Sequence, residues 1–160
     1  MYWVMVIGLM LVLPVASVLI EGFVSGWMPD ALALIGKWFV FWAMGVRLFI
    51  AGVSQIVRPS FTAENILGRG ADENTNHVVQ EVGFANLGLG AAGIVAPWIG
   101  GTTHGGWTAA VAVAGGVFLF AAGIRHLFKA GKGGKEWLAC CTDLVVGIVL
   151  LVFAIASLAS

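Results

Sequence analysis

Charge is what this sequence has least of. Only 10% of its residues are Asp, Glu, Lys or Arg, 8 basic against 8 acidic, and the formal net charge is zero. A soluble domain ordinarily carries about a quarter. So little charge leaves too few polar groups to wrap a core in water. The lack of any basic tract also removes the usual grip on nucleic-acid phosphates, so no nucleic-acid partner is expected. Cysteine is nearly missing as well, with only Cys140 and Cys141, side by side. Neighbouring cysteines make a strained disulfide and supply too few ligands for zinc. They read as two small apolar residues in a helix, and no metal site is expected. Histidine occurs three times, at His77, His104 and His126. A b-type haem needs axial ligands from facing helices at matched depth. Only His126 falls inside an apolar run, so haem is not expected, and no cofactor is required by the residues present.

What the chain has in place of charge is hydrocarbon. Apolar residues make up 60% of it, and the mean hydropathy is +1.00. A bilayer core about 30 Å thick takes about 20 mostly apolar helical residues per crossing. Five runs of that kind, at approximately 2–20, 33–57, 78–98, 107–127 and 137–158, account for most of the length. They predict an all-α integral membrane fold, a five-helix bundle forming a single transmembrane domain over 1–160 with the lipid bilayer as its main partner. The amino end has no positive leader and no clear A-x-A site after its long apolar run, so it is expected to be a retained helix rather than a signal peptide. Pro14 lies inside it, tolerable as a kink where neighbours re-satisfy the freed carbonyl. Asp30 is placed to N-cap the second run, and Pro29 and Trp27 precede it. Between the second and third runs, Thr62, Glu64 and Asn65 predict one short helical turn, ended at Gly68-Arg69-Gly70.

Orientation follows from the basic residues. Arg58 and Arg69 sit at the second connection, and Arg125, Lys129, Lys132 and Lys135 at the fourth, whereas the first has only Lys37 and the third none. Basic residues favour the cytoplasmic side. The expected placement is therefore a bacterial inner (cytoplasmic) membrane, multi-pass, with the amino terminus cytoplasmic and the carboxyl terminus outside. Trp3, Trp27, Trp38, Trp98, Trp107 and Trp137 fall near the ends of the runs, where an apolar ring with one N–H is best solvated.

Small residues mark helix contacts. In the third run Gly83, Asn86, Gly90, Gly93 and Pro97 share one face, and Glu81, Ala85, Gly88, Ala92 and Ala96 form a neighbouring stripe. Lipid supplies no hydrophobic force between helices, so association relies on close backbone approach. Two small stripes predict a central position for this run, with a partner on each.

The ionisable groups inside runs are the candidates for function. Each costs roughly 2.5–3.5 kcal/mol at a helix centre on insertion scales, and such residues usually mark a site. The second run carries Arg47 and Gln55, two turns apart and expected on one face; the third carries Glu81 and Asn86; the fourth ends on His126; the fifth carries Asp143. At about 1.5 Å rise per residue these fall in the cytoplasmic half of the bilayer or at its midplane. The outer half shows nothing of comparable cost. Asp143 and Asn86 are the nearest partners in depth for Arg47, and Arg58 or His126 for Glu81. The six residues Arg47, Gln55, Glu81, Asn86, His126 and Asp143 are thus expected either to lock the helices together or to line a polar pocket opening toward the cytoplasm. A nucleophilic pairing of Cys140 with His126 gains nothing from the spacing.

Two stretches carry a resemblance. Val46-Arg47-Leu48-Phe49-Ile50-Ala51-Gly52-Val53-Ser54-Gln55 resembles the first-helix signature of DoxX-like membrane proteins, an Arg followed by apolar residues and a Gly. Glu81-Val82-Gly83-Phe84-Ala85-Asn86-Leu87-Gly88-Leu89-Gly90 is similar to their next, Gly-rich helix. The likeness spans roughly Trp38 to Phe128 and is closer still to an uncharacterised family of small bacterial membrane proteins related in pattern to DoxX. It implies a four-helix bundle with the first run as an extra helix, and, from the association of some DoxX-type proteins with quinone-linked sulfur oxidation or redox-stress complexes, a quinone as the ligand to consider. The expected function is a non-catalytic accessory or small-molecule-binding membrane protein, alone, as a homo-oligomer or in a larger membrane complex. The alternatives are a quinone-linked redox component, with Arg47 or His126 at a quinone oxygen and Glu81 or Asp143 passing protons, and a proton-coupled transporter.

Overall fold

The computed structural model describes residues 2–25, 31–65, 70, 72–99, 106–131 and 133–159. Trp27, Pro29, Asp30, Gly68, Arg69, His104 and Lys132 lie outside the described residues. Those described form helices and connections, with no strand among them. Five helices are long and apolar enough to cross a membrane: Trp3–Ser25, Ala31–Val57, Glu73–Trp98, Gly106–Leu127 and Gly134–Ala159. A short helix, Pro59–Asn65, follows the second span, beginning three residues earlier than Thr62 because proline suits a first helical turn.

The two boundaries that move furthest outward from the sequence expectation each do so for a local reason. The first helix runs on to Ser25, because nothing from Glu21 to Ser25 breaks it and Ser25 Oγ donates back to the Glu21 carbonyl at 2.6 Å. The third begins at Glu73, where Asp72 accepts from the Thr75 backbone N–H at 2.8 Å and from its hydroxyl at 2.9 Å. That is an N-cap of the ordinary Asp-x-x-Thr kind.

The helices alternate in direction and close on one another at glycines. A Cβ on Gly45 would lie 2.7 Å from the Gly93 carbonyl carbon, and one on Gly52 would lie 2.5 Å from the Leu87 nitrogen. A Cβ on Gly90 would run into the Phe49 backbone. The fourth and fifth spans meet the same way, Gly147 against Phe120 and Gly123 against Leu144. These contacts set the second and third spans antiparallel, and likewise the fourth and fifth. The amino terminus and the ends at Val57, Glu73, Leu127 and Gly134 therefore share one face of the bundle, here the amino-terminal face. The second span touches each of the other four. Its Val40, Ala43, Met44 and Leu48 form a sealed core with Met10, Ala112, Leu119, Val146 and Leu150. Phe23, Val24, Phe84, Val117 and Ile155 point outward, as side chains bathed by lipid do.

The third span is peripheral rather than central. Its Gly83, Asn86, Gly90 and Gly93 face is buried against the second span, as expected, but Glu81, Ala85 and Gly88 are exposed and nothing lies within 4 Å of a Cβ built on Gly88. One stripe of small residues is enough to seat a helix, and here the second is open over Glu81, Ala85 and Gly88 and closes only toward Ala96, which is buried.

Two tests follow. Gly90→Val is expected to drive side-chain atoms into the Phe49 backbone and to destabilise the fold by about 1–3 kcal/mol or more. Gly88→Val, two residues away on the open stripe, is expected to leave thermal unfolding in detergent unchanged. Equal losses at both positions would contradict the peripheral placement. The second test concerns Asp72, whose carboxyl is held below its ordinary range by the Thr75 N–H and hydroxyl. A lowered carboxylate contributes its stabilisation above the unfolded-state value and loses it as pH falls through the lowered one. The protection of the Thr75 amide, its exchange measured against the unstructured rate at the same pH, should fall over that acidic window in the native chain and be low throughout in Asp72→Ala.

Candidate functional site

Arg47 opens the last α-helical stretch of the second span, about 16 Å along the helix from Arg58. Its Nη2 lies 3.1 Å from Asp143 Oδ1 on the fifth span, the pairing that depth alone predicts. Asp143 sits about 14 Å into its own helix from Gly134. The carboxylate is almost entirely buried, with 4% of its side chain exposed, while Arg47 keeps 16%. The contact is electrostatic rather than a directed hydrogen bond, since Asp143 Oδ1 has no aligned donor. A guanidinium has five N–H groups. Among the described residues none of those on Arg47 makes a directed hydrogen bond, and the Asp143 carboxylate is its one charged neighbour within 4.0 Å.

The other polar groups divide. Asn86 Nδ2 donates to Gln55 Oε1 at 2.8 Å, bridging the second and third spans, and Asn86 Oδ1 stays buried without a partner. An unpaired buried carbonyl costs about 1–3 kcal/mol. Arg47 and Gln55 thus serve different neighbours rather than one face. Eight residues at 100° each leave an 80° offset after two turns, enough to turn one toward the fifth span and the other toward the third. Glu81 is exposed on the open side of the third span and pairs with neither Arg58 nor His126. A helix starting at Glu73 carries it out to the level of Val57, where a carboxylate meets headgroups and water.

His126 is half-buried near the end of the fourth span. Gly123, one turn earlier, accepts the Cys140 thiol at 3.5 Å on its carbonyl oxygen, and Cys140 is one turn before Asp143. This crossing brings His126 to nearly the level of Asp143. Cys140 is 1% exposed and spends its S–H on that carbonyl, which is no setting for a nucleophile. Cys141 is exposed and unpaired by disulfide.

The opposite face holds a cluster that sequence reasoning missed. Lys37 Nζ lies 2.8 Å from both carboxylate oxygens of Glu21, and Trp38 Nε1 donates to Glu21 Oε2 at 2.7 Å. The Lys37 ammonium also stands 5.0 Å from the Trp38 ring and 4.9 Å from the Trp98 ring. Trp42 Nε1 donates to Ser17 Oγ at 3.1 Å. The half of the bundle away from the amino-terminal face therefore does carry costly groups, neutralised where the first, second and third spans meet. Extending the first helix by one turn, which puts Glu21 in register with Lys37, was the signal available. Inward from this cluster lies an apolar cavity of about 270 Å³ lined by Val15, Val18, Leu19, Ile35, Phe39 and Val149. None of the six expected polar residues borders it.

With the geometry in place, comparison with known proteins adds one finding. A family of unknown function, DUF6790, matches residues 3–159. The chain belongs to it. The DUF6790 match covers all five spans and carries no link to DoxX proteins specifically. No curated protein and no solved structure matches the chain.

The buried pair of this DUF6790 chain makes a double-mutant test. Arg47→Leu strands the Asp143 carboxylate and is expected to cost about 3–5 kcal/mol, whereas Arg47→Leu with Asp143→Leu is expected to recover most of that loss. Unfolding in mixed micelles measures both. Strictly additive losses would mean that the two side chains are not coupled.

Proposed function

We propose that this protein binds a lipophilic small molecule within the membrane, held through an oxygen acceptor on the Arg47 guanidinium. The observation that carries this reading is the setting of Arg47, a cation near the middle of an apolar helix, partly open, with one carboxylate oxygen 3.1 Å from Nη2 and no directed hydrogen bond from its guanidinium donors among the described residues. A residue needed only to lock two helices would spend those donors within the bundle. Asp143 then acts as the counter-ion that makes the empty site tolerable, and Gln55 with Asn86 fixes the neighbouring helix pair. Glu81 lies toward the amino-terminal face, at the level where a ligand would meet water, and His126 lies deeper, nearly level with Asp143.

On the same reading the protein is a multi-pass component of a bacterial inner membrane, DoxX-like in type, with its amino-terminal face toward the cytoplasm. Arg58, Arg125, Lys129 and Lys135 lie at that face, and Lys37 lies at the other, tied to Glu21. This asymmetry supports the cytoplasmic assignment.

The test is retention. Native and Arg47→Gln proteins are extracted with their surrounding lipid into polymer discs, checked for equal thermal stability, and their small molecules identified by mass spectrometry. An oxygen-bearing lipophilic compound, a quinone or a weak acid for example, is expected in the native discs and lost from Arg47→Gln. Identical contents in two equally folded samples would remove the binding role.

A further inference from the structure

The Arg47–Asp143 pair carries a consequence for what kind of ligand the site takes. As it stands the site is neutral, one guanidinium and one carboxylate in contact at 3.1 Å. An anion arriving at Arg47 adds a negative charge where Asp143 is almost wholly buried. An extra unpaired charge in such surroundings costs several kcal/mol even after relaxation. One inexpensive way out exists: the carboxylate takes a proton from water as the anion replaces it on the guanidinium. The Arg47–Asp143 contact is exchanged for an Arg47–anion contact, an O–H bond forms on Asp143, and the net charge stays at zero.

We propose that the Arg47–Asp143 pair binds lipophilic anions together with one proton, Asp143 being the proton acceptor. The proposal rests on the binding role assigned to Arg47 above and narrows its ligand to an anion with an apolar body.

The groups facing Asp143 leave it as the acceptor. The second span presents Arg47, the cation of the pair. The fourth presents His126 at nearly the same level and Arg125, exposed, beyond it. The fifth itself supplies Cys140, whose thiol is donated to the Gly123 carbonyl, and nearer the surface Glu136, paired with Lys129. The first span has no ionisable side chain from Trp3 to Ile20. Glu81 on the third is exposed and outside the pair. His126 is the one competing acceptor.

The experiment uses the full chain in lipid nanodiscs with decane-1-sulfonate, an anion that does not titrate, so that any proton taken up is the protein's. Binding is corrected with Arg47→Gln discs. The native dissociation constant is expected to fall about tenfold for each unit of decreasing pH until Asp143 is protonated in the free protein, the slope of a single linked proton. Calorimetry in two buffers of different ionisation enthalpy is expected to return one proton per sulfonate. Asp143→Asn, fixed in the neutral form, should bind tightly with no pH slope, and His126→Asn should keep the native slope.

A flat native pH profile, or a calorimetric proton count near zero, overturns the proposal. So does a slope that vanishes in His126→Asn and persists in Asp143→Asn, since that places the proton on the imidazole. The native slope and proton count decide the matter even if Asp143→Asn does not fold. Retention of a neutral, Arg47-dependent compound with no saturable sulfonate binding overturns the anion and proton coupling while leaving the binding role intact. Loss of the binding role would show instead as identical contents in the extraction experiment.

Discussion

A single opposite-charge contact inside hydrocarbon sets the terms for the rest of this molecule. Arg47 and Asp143 come from the second and fifth spans, far apart in sequence, and neither is tolerable there alone. Their attraction gains strength from the low dielectric that makes each so costly, and the two effects nearly offset. Such a pair adds little net stability, yet it penalises any arrangement that separates its members. The second span, which carries the Arg, is also the helix that touches all the others, so fixing its partner fixes the bundle.

Around that contact the bundle is assembled by proximity rather than by exclusion from water. Leu and Val face lipid as comfortably as they face each other, so burying them supplies little drive between helices. The glycines of the second and third spans let main chains approach to distances that no Cβ would allow, and Gly123 and Gly147 do the same between the fourth and fifth. The ion pair then joins these two close-packed pairs. The Glu21–Lys37 contact, backed by Trp38 and Trp98, ties in the first span at the far face. The paired charges of Arg47–Asp143 and Glu21–Lys37 thus occur where two helices meet that small residues alone do not bring together.

Much of this was legible in the sequence because hydrophobic length and charge depth are one-dimensional properties. Five helices, the depth match of Arg47 with Asp143 and the Gly83–Asn86–Gly90–Gly93 contact face all follow from counting residues. Azimuth is harder, since a small residue suits a helix contact and an open stripe equally well. Gly88 and Gly90 differ in role, but nothing in their composition separates them. Gln55 was expected beside Arg47, although two turns of α-helix already leave the two residues well apart in direction. Glu21 escaped notice because it was assigned to a connection, and one more helical turn changes it from a loop acid into the partner of Lys37.

Azimuth also explains the least regular part of the fold. The second span is α-helical from Ala31 to Trp38, π-helical from Phe39 to Val46 and α-helical again from Arg47 to Val57. The first span has a similar wide stretch at Gly8–Val12, just ahead of Pro14, with the Leu13 N–H bonded to the Gly8 carbonyl. There the missing proline N–H gives a local cause. No proline occurs from Phe39 to Val46, so the cause is not local. A π-helix turns through about 80° per residue instead of 100°, so eight such residues leave the chain behind an α-helix by roughly 160°. A regular helix with Lys37 facing Glu21 would carry Arg47 well away from Asp143. The wide stretch lets one helix meet the first span at the end away from the amino-terminal face and the fifth span at its centre, each with a charge correctly aimed. Less regular hydrogen bonding along Phe39–Val46 is tolerable because failure to pair Arg47 in hydrocarbon would cost more.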